Sequence, residues 1–193
     1  MSSSRFILAS ASPRRAELLR DAGYEFEVEA PELDETKFPH AMMPVQVATY
    51  LAEEKARRVS ARRPDEVVLA ADTVVAFGDL LLGKPDNAEH ARKMLQLLSG
   101  TTHIVITGVA VARAAEKMLR SGRAMSAVRM RFLTPAEIDR YIASGQWEGK
   151  AGGYGIQDHD PFVTNQAGST TNIVGLPMRL TKQLLAEAGI TPT

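Results

Sequence analysis

Hydrophobic positions along this chain fall into short runs and helix-spaced stripes that follow one another in turn. Phe6-Ile7-Leu8 is a short apolar run, suited to a buried strand within Arg5 to Ala9. Ala16, Leu18 and Leu19 then give a helix from Pro13 an apolar side, and Asp21-Ala-Gly23 reads as its stop. Ser12 is expected to cap that helix, with Pro13 at the first helical position, where a missing N–H costs nothing. Tyr24 to Val28 alternates into a second short strand. Pro44 opens a long helix to about Arg63, with Ala48, Leu51, Ala52, Lys55 and Val59 on one face. Val67 to Val75 is nearly continuous in its apolar character, which predicts a strand buried on both faces, as in α/β sheets. Leu80 to Leu82 suit a strand behind a Gly78-Asp79 hairpin turn. Asn87 caps a helix through Leu98, closed by Ser99-Gly100. Thr101 to Ala112 predicts a long β-branched strand, and Met118 to Phe132 another. Thr134-Pro-Ala-Glu137 is a capping box that starts a helix to Ser144. Gly168 to Pro177 leads into a last helix to about Ala188.

The polar residues that interrupt these patterns are the candidates for chemistry. Asp72 and Thr73 break the best strand, and a carboxylate there is costly unless a cation or a metal pairs with it. Thr73 should point to the opposite face from Asp72, so a twist or bulge would be needed to bring both to one cleft. Lys55 is the odd member of its stripe; it either snorkels outward or points inward at an anion. At the first helix, Ser10, Ser12 and free backbone N–H groups meet Arg14 and Arg15 in the first turn. Cations there oppose the helix macrodipole unless an anion sits in front of them, so the segment is either an ordinary capped helix with solvated arginines or a phosphate site. Glu29-Ala-Pro-Glu-Leu-Asp-Glu35 is an acid-dense loop, either solvated or a source of carboxylates for a metal.

Gly78 to Pro85 nearly matches the phosphate loop G-x-x-x-x-G-K-[ST], but Pro85 supplies neither a hydroxyl nor an N–H. Lys84 remains as a cation near the Asp72 hairpin. His103 reads as structural. Trp147 to Gln157 holds four glycines in seven residues, which lets backbone approach a ligand closely; Lys150 adds charge, and Gln157 adds an amide able to read a base edge.

Composition narrows the partners. Twenty-three basic and 23 acidic residues cancel over 193 positions, which argues against nucleic-acid or membrane-surface binding driven by net charge. With no cysteine, disulfides and thiolate metal sites are excluded. No apolar run approaches a membrane span, and Met1-Ser-Ser-Ser is no signal peptide, so the expectation is a cytoplasmic protein. No serine, cysteine or histidine constellation suggests a covalent nucleophile. Several cations, a buried acid, an acidic loop and a glycine-rich loop together suit a polyphosphate, a divalent metal and an activated water.

Taken in order, these motifs resemble the Maf family of nucleoside triphosphate pyrophosphatases over nearly the whole chain. The resemblance rests on Leu-Ala-Ser-Ala-Ser-Pro-Arg-Arg (8–15), Glu-Lys-Ala (54–56), Ala-Asp-Thr-Val-Val (71–75), Gly-Lys-Pro (83–85) and Leu-Ser-Gly-Thr-Thr-His (98–103). It continues in Lys-Ala-Gly-Gly-Tyr-Gly-Ile-Gln (150–157) and Val-Gly-Leu-Pro (174–177). It implies one Maf-like domain over 1–193, an α/β fold with an elongated twisted mixed sheet flanked by helices, and two lobes with a cleft between them. It further implies hydrolysis between the α and β phosphates, with Mg²⁺ or Mn²⁺ as cofactor, and a homodimer. Asp72 matches the family's proton acceptor. Ser10, Arg14, Lys55, Lys84 and Glu35 match phosphate- and metal-handling positions, with Asp72 and Glu35 as the metal pair; Glu32 or Asp34 could substitute for Glu35. Thr73, Gln157 and the absence of an aromatic insertion before Arg14 resemble the dTTP/UTP branch and not the 7-methyl-GTP branch. The run Asp158-His-Asp-Pro-Phe departs from a glycine common in the family and sets two acids and a histidine beside the base pocket. A second reading is a nucleotide-binding regulator of cell division with weak hydrolysis; retention of Asp72, Lys55 and Lys84 favours the enzyme.

Overall fold

In the computed structural model, residues 5–39, 41–158 and 162–192 are described. Met1–Ser4 and the His159–Pro161 part of the acid run lie outside them. The chain forms β1 (Phe6–Ala9), α1 (Pro13–Asp21), β2 (Phe26–Val28), α2 (Pro44–Arg62), β3 (Val68–Phe77) and β4 (Leu80–Leu82). It continues with α3 (Ala88–Leu98), β5 (Thr102–Arg113), β6 (Met118–Met130), α4 (Pro135–Ala143), β7 (Val163–Ala167), α5 (Thr170–Val174) and α6 (Met178–Glu187). The seven strands make one mixed sheet in the order β2-β1-β3-β5-β6-β7, with β4 attached to β3. β1 pairs parallel with β2 and β3; β3, β5, β6 and β7 pair antiparallel in turn.

A gap in this sheet creates the cleft. β5 pairs with β3 from Val68 to Ala76 along one edge. On the other edge, β1 pairs with Val68 to Ala70 and β4 with Val75 to Phe77. Among the described residues, no strand covers that edge from Ala71 to Val74. Asp72 and Thr73 sit at the centre of the uncovered stretch. Their side chains leave opposite faces, yet both border the same opening because the sheet is missing beside them. Of the twist or bulge that the sequence reading called for, no bulge forms: the β3–β5 register runs without a shift through Asp72↔Gly108 and Thr73↔Thr107.

The core is divided at the same level. On the α2 face, Val68 and Ala70 pack with Ala52, Ala56 and Val59, whereas Val74 and Ala76 pack with Val47, Ala48 and Leu51. On the other face, Leu69 and Ala71 join Ala16, Leu19 and Leu185, whereas Val75 joins Leu95, Leu98 and Tyr154. Asp72 and Thr73 fall between these apolar groups, so the polar pair marks the seam between two lobes on one continuous sheet.

Local rules account for most element ends. The Asn87 side chain accepts from the His90 N–H at 2.9 Å, and the Thr134–Glu137 capping box is formed. The Ser12 cap is not formed. Its hydroxyl makes no capping bond, and the Ser12 N–H instead donates to Ser10 Oγ at 3.1 Å. The second strand begins at Phe26, because Tyr24 turns inward to meet the Phe6 ring edge-on at 6.0 Å. The long β-branched strand gives its Gly108 position to α2: a Cβ there would lie 2.2 Å from the Ala48 carbonyl oxygen. That close approach brings α2 down beside Asp72. Near the start of β5, the buried His103 Nε2 meets Tyr154 Oη at 2.5 Å and so anchors the glycine-rich segment.

Two stability outcomes follow from this packing. Gly108→Ala should destabilise the fold by at least about 1–3 kcal/mol, the usual range for overpacking, because the clash is with backbone. Urea unfolding of the variant measures this. Burial holds His103 at about 4, below its ordinary 6.5. The unfolded chain takes up that proton below about 6.5, and the folded protein does not until about 4. Its contribution is therefore full above pH 6.5 and is lost as pH falls towards 4. Across that window, the Tm of His103→Gln should fall less steeply than that of wild type.

Candidate functional site

The end of β1 delivers the chain into the start of α1, and this turn forms one wall of the cleft. The first intrahelical bond, from Ala16 N–H to Ser12 O, is 3.4 Å long. Pro13 has no N–H to leave open, so the amides of Arg14 and Arg15 lead the helix. Ser10 is buried, and its Oγ accepts from the Ser12 amide and from Arg15 Nη1 at 3.2 Å. With both acceptor positions engaged, the Ser10 hydroxyl has its own hydrogen left to donate. Amides, a hydroxyl and guanidinium groups at a helix start suit an anion.

The two arginines have different tasks. Arg14 reaches across to the glycine loop, where Nη2 donates to the Gly149 carbonyl at 3.4 Å. Arg15 folds inward and donates to the Gly175 carbonyl at 2.8 Å, to Ser10 and to Thr73 Oγ1 at 3.2 Å. Burial pulls the Arg15 guanidinium below its ordinary value, and Asp72 and Glu35 pull it partly back. The sequence drew attention to Arg15 only as a cation; its contacts make it the link between the opening turn, β3 and the Gly175 turn.

Asp72 is reached from the other face. Lys55 points inward from α2, and its Nζ lies 2.5 Å from Asp72 Oδ1 and 2.7 Å from Glu35 Oε1. Both the Lys55 and Asp72 side chains are almost fully enclosed, at 3% and 5% exposure. Glu35 Oε2 in turn accepts from Lys84 at 2.6 Å. Lys84, Glu35, Lys55 and Asp72 thus form a line of alternating charge from the rim to the sheet gap. Burial pushes the Glu35 carboxyl up, but Lys55 and Lys84 outweigh it and hold it at about 2. Asp72 Oδ2 bonds no described side chain and borders the cleft.

Thr73 belongs to a polar row on the opposite face. Its Oγ1 lies 2.9 Å from Thr107 Oγ1, and Thr107 donates to the Asn172 carbonyl at 3.0 Å. Asn172 Nδ2 donates to Val105 O and Ser126 Oγ at 3.1 and 2.9 Å. This row ties α5 to the sheet directly behind the gap. Sequence reasoning missed β7 and α5. β7 (Val-Thr-Asn-Gln-Ala) is a polar edge strand and α5 has only five residues, so neither shows apolar periodicity.

The glycine-rich segment closes the far side. Gly152 N–H donates to Gly83 O at 2.9 Å, which holds the Gly83-Lys84 turn beside the loop. Asp158 is not a free acid. It pairs with Lys150 and accepts from Gly155 N–H at 2.8 Å and from Tyr141 Oη at 2.5 Å. Gln157, between them, is exposed and borders the cleft. The enclosed volume is about 730 Å³, and Ser10, Arg14, Glu35, Lys55, Asp72, Thr73, Lys84 and Gln157 all line it. Every site residue expected from the sequence is therefore at one opening.

A divalent metal must be judged on the donors present. Asp72 and Glu35 converge on one point, the Lys55 ammonium, and both are hard oxygen donors. Among the described residues, no group of three or more His, Cys, Asp or Glu side chains could hold a metal ion. Two carboxylates without a third fit a Mg²⁺-like ion whose remaining ligands are water and phosphate oxygens. No helix among the described residues is long and apolar enough to cross a membrane.

Comparison with known proteins finds relatives over nearly the whole chain. A relative from Hyphomonas neptunium named dTTP/UTP pyrophosphatase is 49% identical, covering 97% of this chain and 97% of its own. One of the same name from Roseobacter denitrificans is 47% identical, covering 95% of this chain and 97% of its own. A solved nucleoside-triphosphatase / dITP/XTP pyrophosphatase from Mycobacterium abscessus is similar at TM-score 0.45 and 14% identity, covering 98% of this chain and 100% of that one. The family model described as Maf-like protein matches residues 5–188, a span that contains every element from β1 to α6 and every residue of the cleft named above, and the chain belongs to the Maf family.

Proposed function

We propose that this protein, acting as one Maf-like unit, hydrolyses the α–β phosphate bond of dTTP and UTP to the nucleoside monophosphate and pyrophosphate. The observation that carries this reading is the charge line Lys84–Glu35–Lys55–Asp72, set across the sheet gap from the α1 N-terminus. One acid is held deep in the cleft while cations approach it from both sides, as attack on a polyphosphate requires. The names of the relatives at 47–49% identity support the same substrates.

The chemistry follows from the groups in place. The triphosphate lies between the α1 N-terminus and the lysine line. Ser10 donates to a phosphate oxygen, and Arg14, Lys55 and Lys84 offset the charge that develops on the leaving pyrophosphate. Water attacks the α-phosphorus in line, forming a new P–O bond as the α-phosphorus to bridging-oxygen bond breaks. The water proton passes to Asp72 Oδ2, while Lys55 engages Oδ1 and fixes the carboxylate plane. Asp72 and Glu35 would hold a divalent cation, Mg²⁺ or Mn²⁺, which when bound screens phosphate charge and lowers the pKa of water.

Base selection is assigned to the opposite end. Gln157 carries an amide that can donate and accept, matching a uracil or thymine edge with its carbonyls and N3–H. Thr73 has its hydroxyl engaged by Arg15 and Thr107, so it shapes the floor and does not pair with the base.

Two measurements test these assignments. Asp72→Asn should lower dTTP turnover at least about a hundredfold, the scale of lost proton transfer, in a folded protein. Near-wild-type pyrophosphate release by that variant would remove Asp72 from the reaction. Wild type should favour dTTP and UTP over GTP and 7-methyl-GTP in kcat/KM, and Gln157→Ala should lose roughly 1–3 kcal/mol of that preference, the cost of leaving a polar group unpaired. An equal loss for all four nucleotides would show that Gln157 supports the loop without reading the base.

A further inference from the structure

We propose that Asp158 is a positioning residue for base recognition: its carboxylate fixes the turn that presents Gln157 and withdraws the Lys150 charge from the base end of the cleft. This rests on the reading that Gln157 meets the base.

The turn from Gly155 to Asp158 has little of its own to hold it. Its internal backbone bond, Asp158 N–H to Gly155 O, is long at 3.3 Å. The carboxylate supplies what the backbone lacks. Oδ2 accepts both the Gly155 N–H and the Tyr141 hydroxyl, which joins the loop to α4. Oδ1 takes the Lys150 ammonium from the other end of the loop. Burial and the adjacent carboxylate push the Tyr141 phenol up, so it keeps its proton and donates. A Cβ at position 155 would stand 2.7 Å from Asp158 Oδ1 and 3.0 Å from Lys150 Nζ, so a side chain there would press directly on the carboxylate and its ion pair. Two bonds and one ion pair from a single side chain therefore bracket Ile156 and Gln157 on both sides.

The charge argument is independent of the turn. Lys150 and Asp158 both line the cleft, yet their side chains are only 13% and 9% exposed. An unpaired ammonium there would favour a phosphate over a neutral pyrimidine. Paired with Asp158, it adds no net charge to the base end, while Arg14 and Arg15, beside the charge-balanced lysine line, keep the phosphate end cationic. Removing one member of such a pair leaves a buried charge without its partner. The loss of Asp158 should thus disfavour the base and not the phosphates.

Calorimetric titration of wild type, Asp158→Ala, Asp158→Asn and Tyr141→Phe with two probes separates these effects. One probe, dTMP, carries the base; the other, inorganic tripolyphosphate, carries phosphates alone. Asp158→Ala should weaken dTMP roughly tenfold, the scale of one or two buried hydrogen bonds, with tripolyphosphate unchanged or tighter. Asp158→Asn, which keeps an oxygen for Gly155 and Tyr141, should fall between wild type and Asp158→Ala, and Tyr141→Phe should weaken dTMP alone. For dTTP turnover the defect should appear in KM and not in kcat. Unchanged dTMP binding in Asp158→Ala, or equal weakening of both probes, overturns the proposal. A wild type that binds dTMP but does not cleave dTTP would overturn the hydrolytic reading instead and leave the role of Asp158 supported.

Discussion

The uncovered edge of β3 between Ala71 and Val74 is the constraint from which the site follows. A strand inside a sheet normally gives each face its own surroundings, and adjacent residues cannot serve one ligand. Here the pairing of β1 with β3 stops at Ala70 and that of β4 starts at Val75, so two adjacent side chains border one opening from opposite faces. The cost is a carboxylate at the centre of a protein. Lys55 meets that cost from α2, at a level where Gly108 lets the helix backbone approach the sheet. Burying both ions is not an efficient source of stability, because desolvation offsets much of the attraction. The pair is therefore better accounted for by the proton-acceptor role proposed for Asp72, with Lys55 holding its carboxylate, than by stability.

The two faces divide the labour. On the α2 face, charge alternates from Lys84 to Asp72, and Lys55 and Lys84 hold the Glu35 carboxyl well below the usual carboxylate range. On the other face the row from Arg15 through Thr73 and Thr107 to Asn172 is neutral beyond its first member. The first arrangement suits a polyphosphate and the second a rigid floor. Arg15 belongs to both, since it touches Ser10 and Thr73 while its charge is balanced by Asp72 and Glu35.

The glycine-rich segment depends on anchors outside itself. His103 holds Tyr154 from β5, Gly83 holds Gly152, and Asp158 ties the loop to α4 through Tyr141. Glycine permits the close turns, and these contacts make one of the many permitted conformations dominant. Lys150 and Asp158 are paired with each other, and Gln157 is left as an exposed amide.

Much of this was legible in the chain. Apolar periodicity located α2 and β3, the capping residues located α3 and α4, and Asp72 stood out because a carboxylate in an apolar strand needs a reason. Lys55 was marked for the same cause, as a cation in a buried stripe. The order and spacing of the motifs carried the family, since motifs at such separations recur together only when a fold brings them together. Tertiary structure decided the rest. Whether Lys55 faced outward or inward depended on the distance between α2 and β3, which no local pattern encodes. Arg15 and Asp158 became distinguishable from Arg14 and an ordinary surface acid only when their distant partners, Gly175 and Tyr141, were placed. The joint access of Asp72 and Thr73 to one cleft came from where two other strands end. Periodicity reports which way a side chain leaves its own backbone; it carries no information about the edge that a neighbouring strand leaves open.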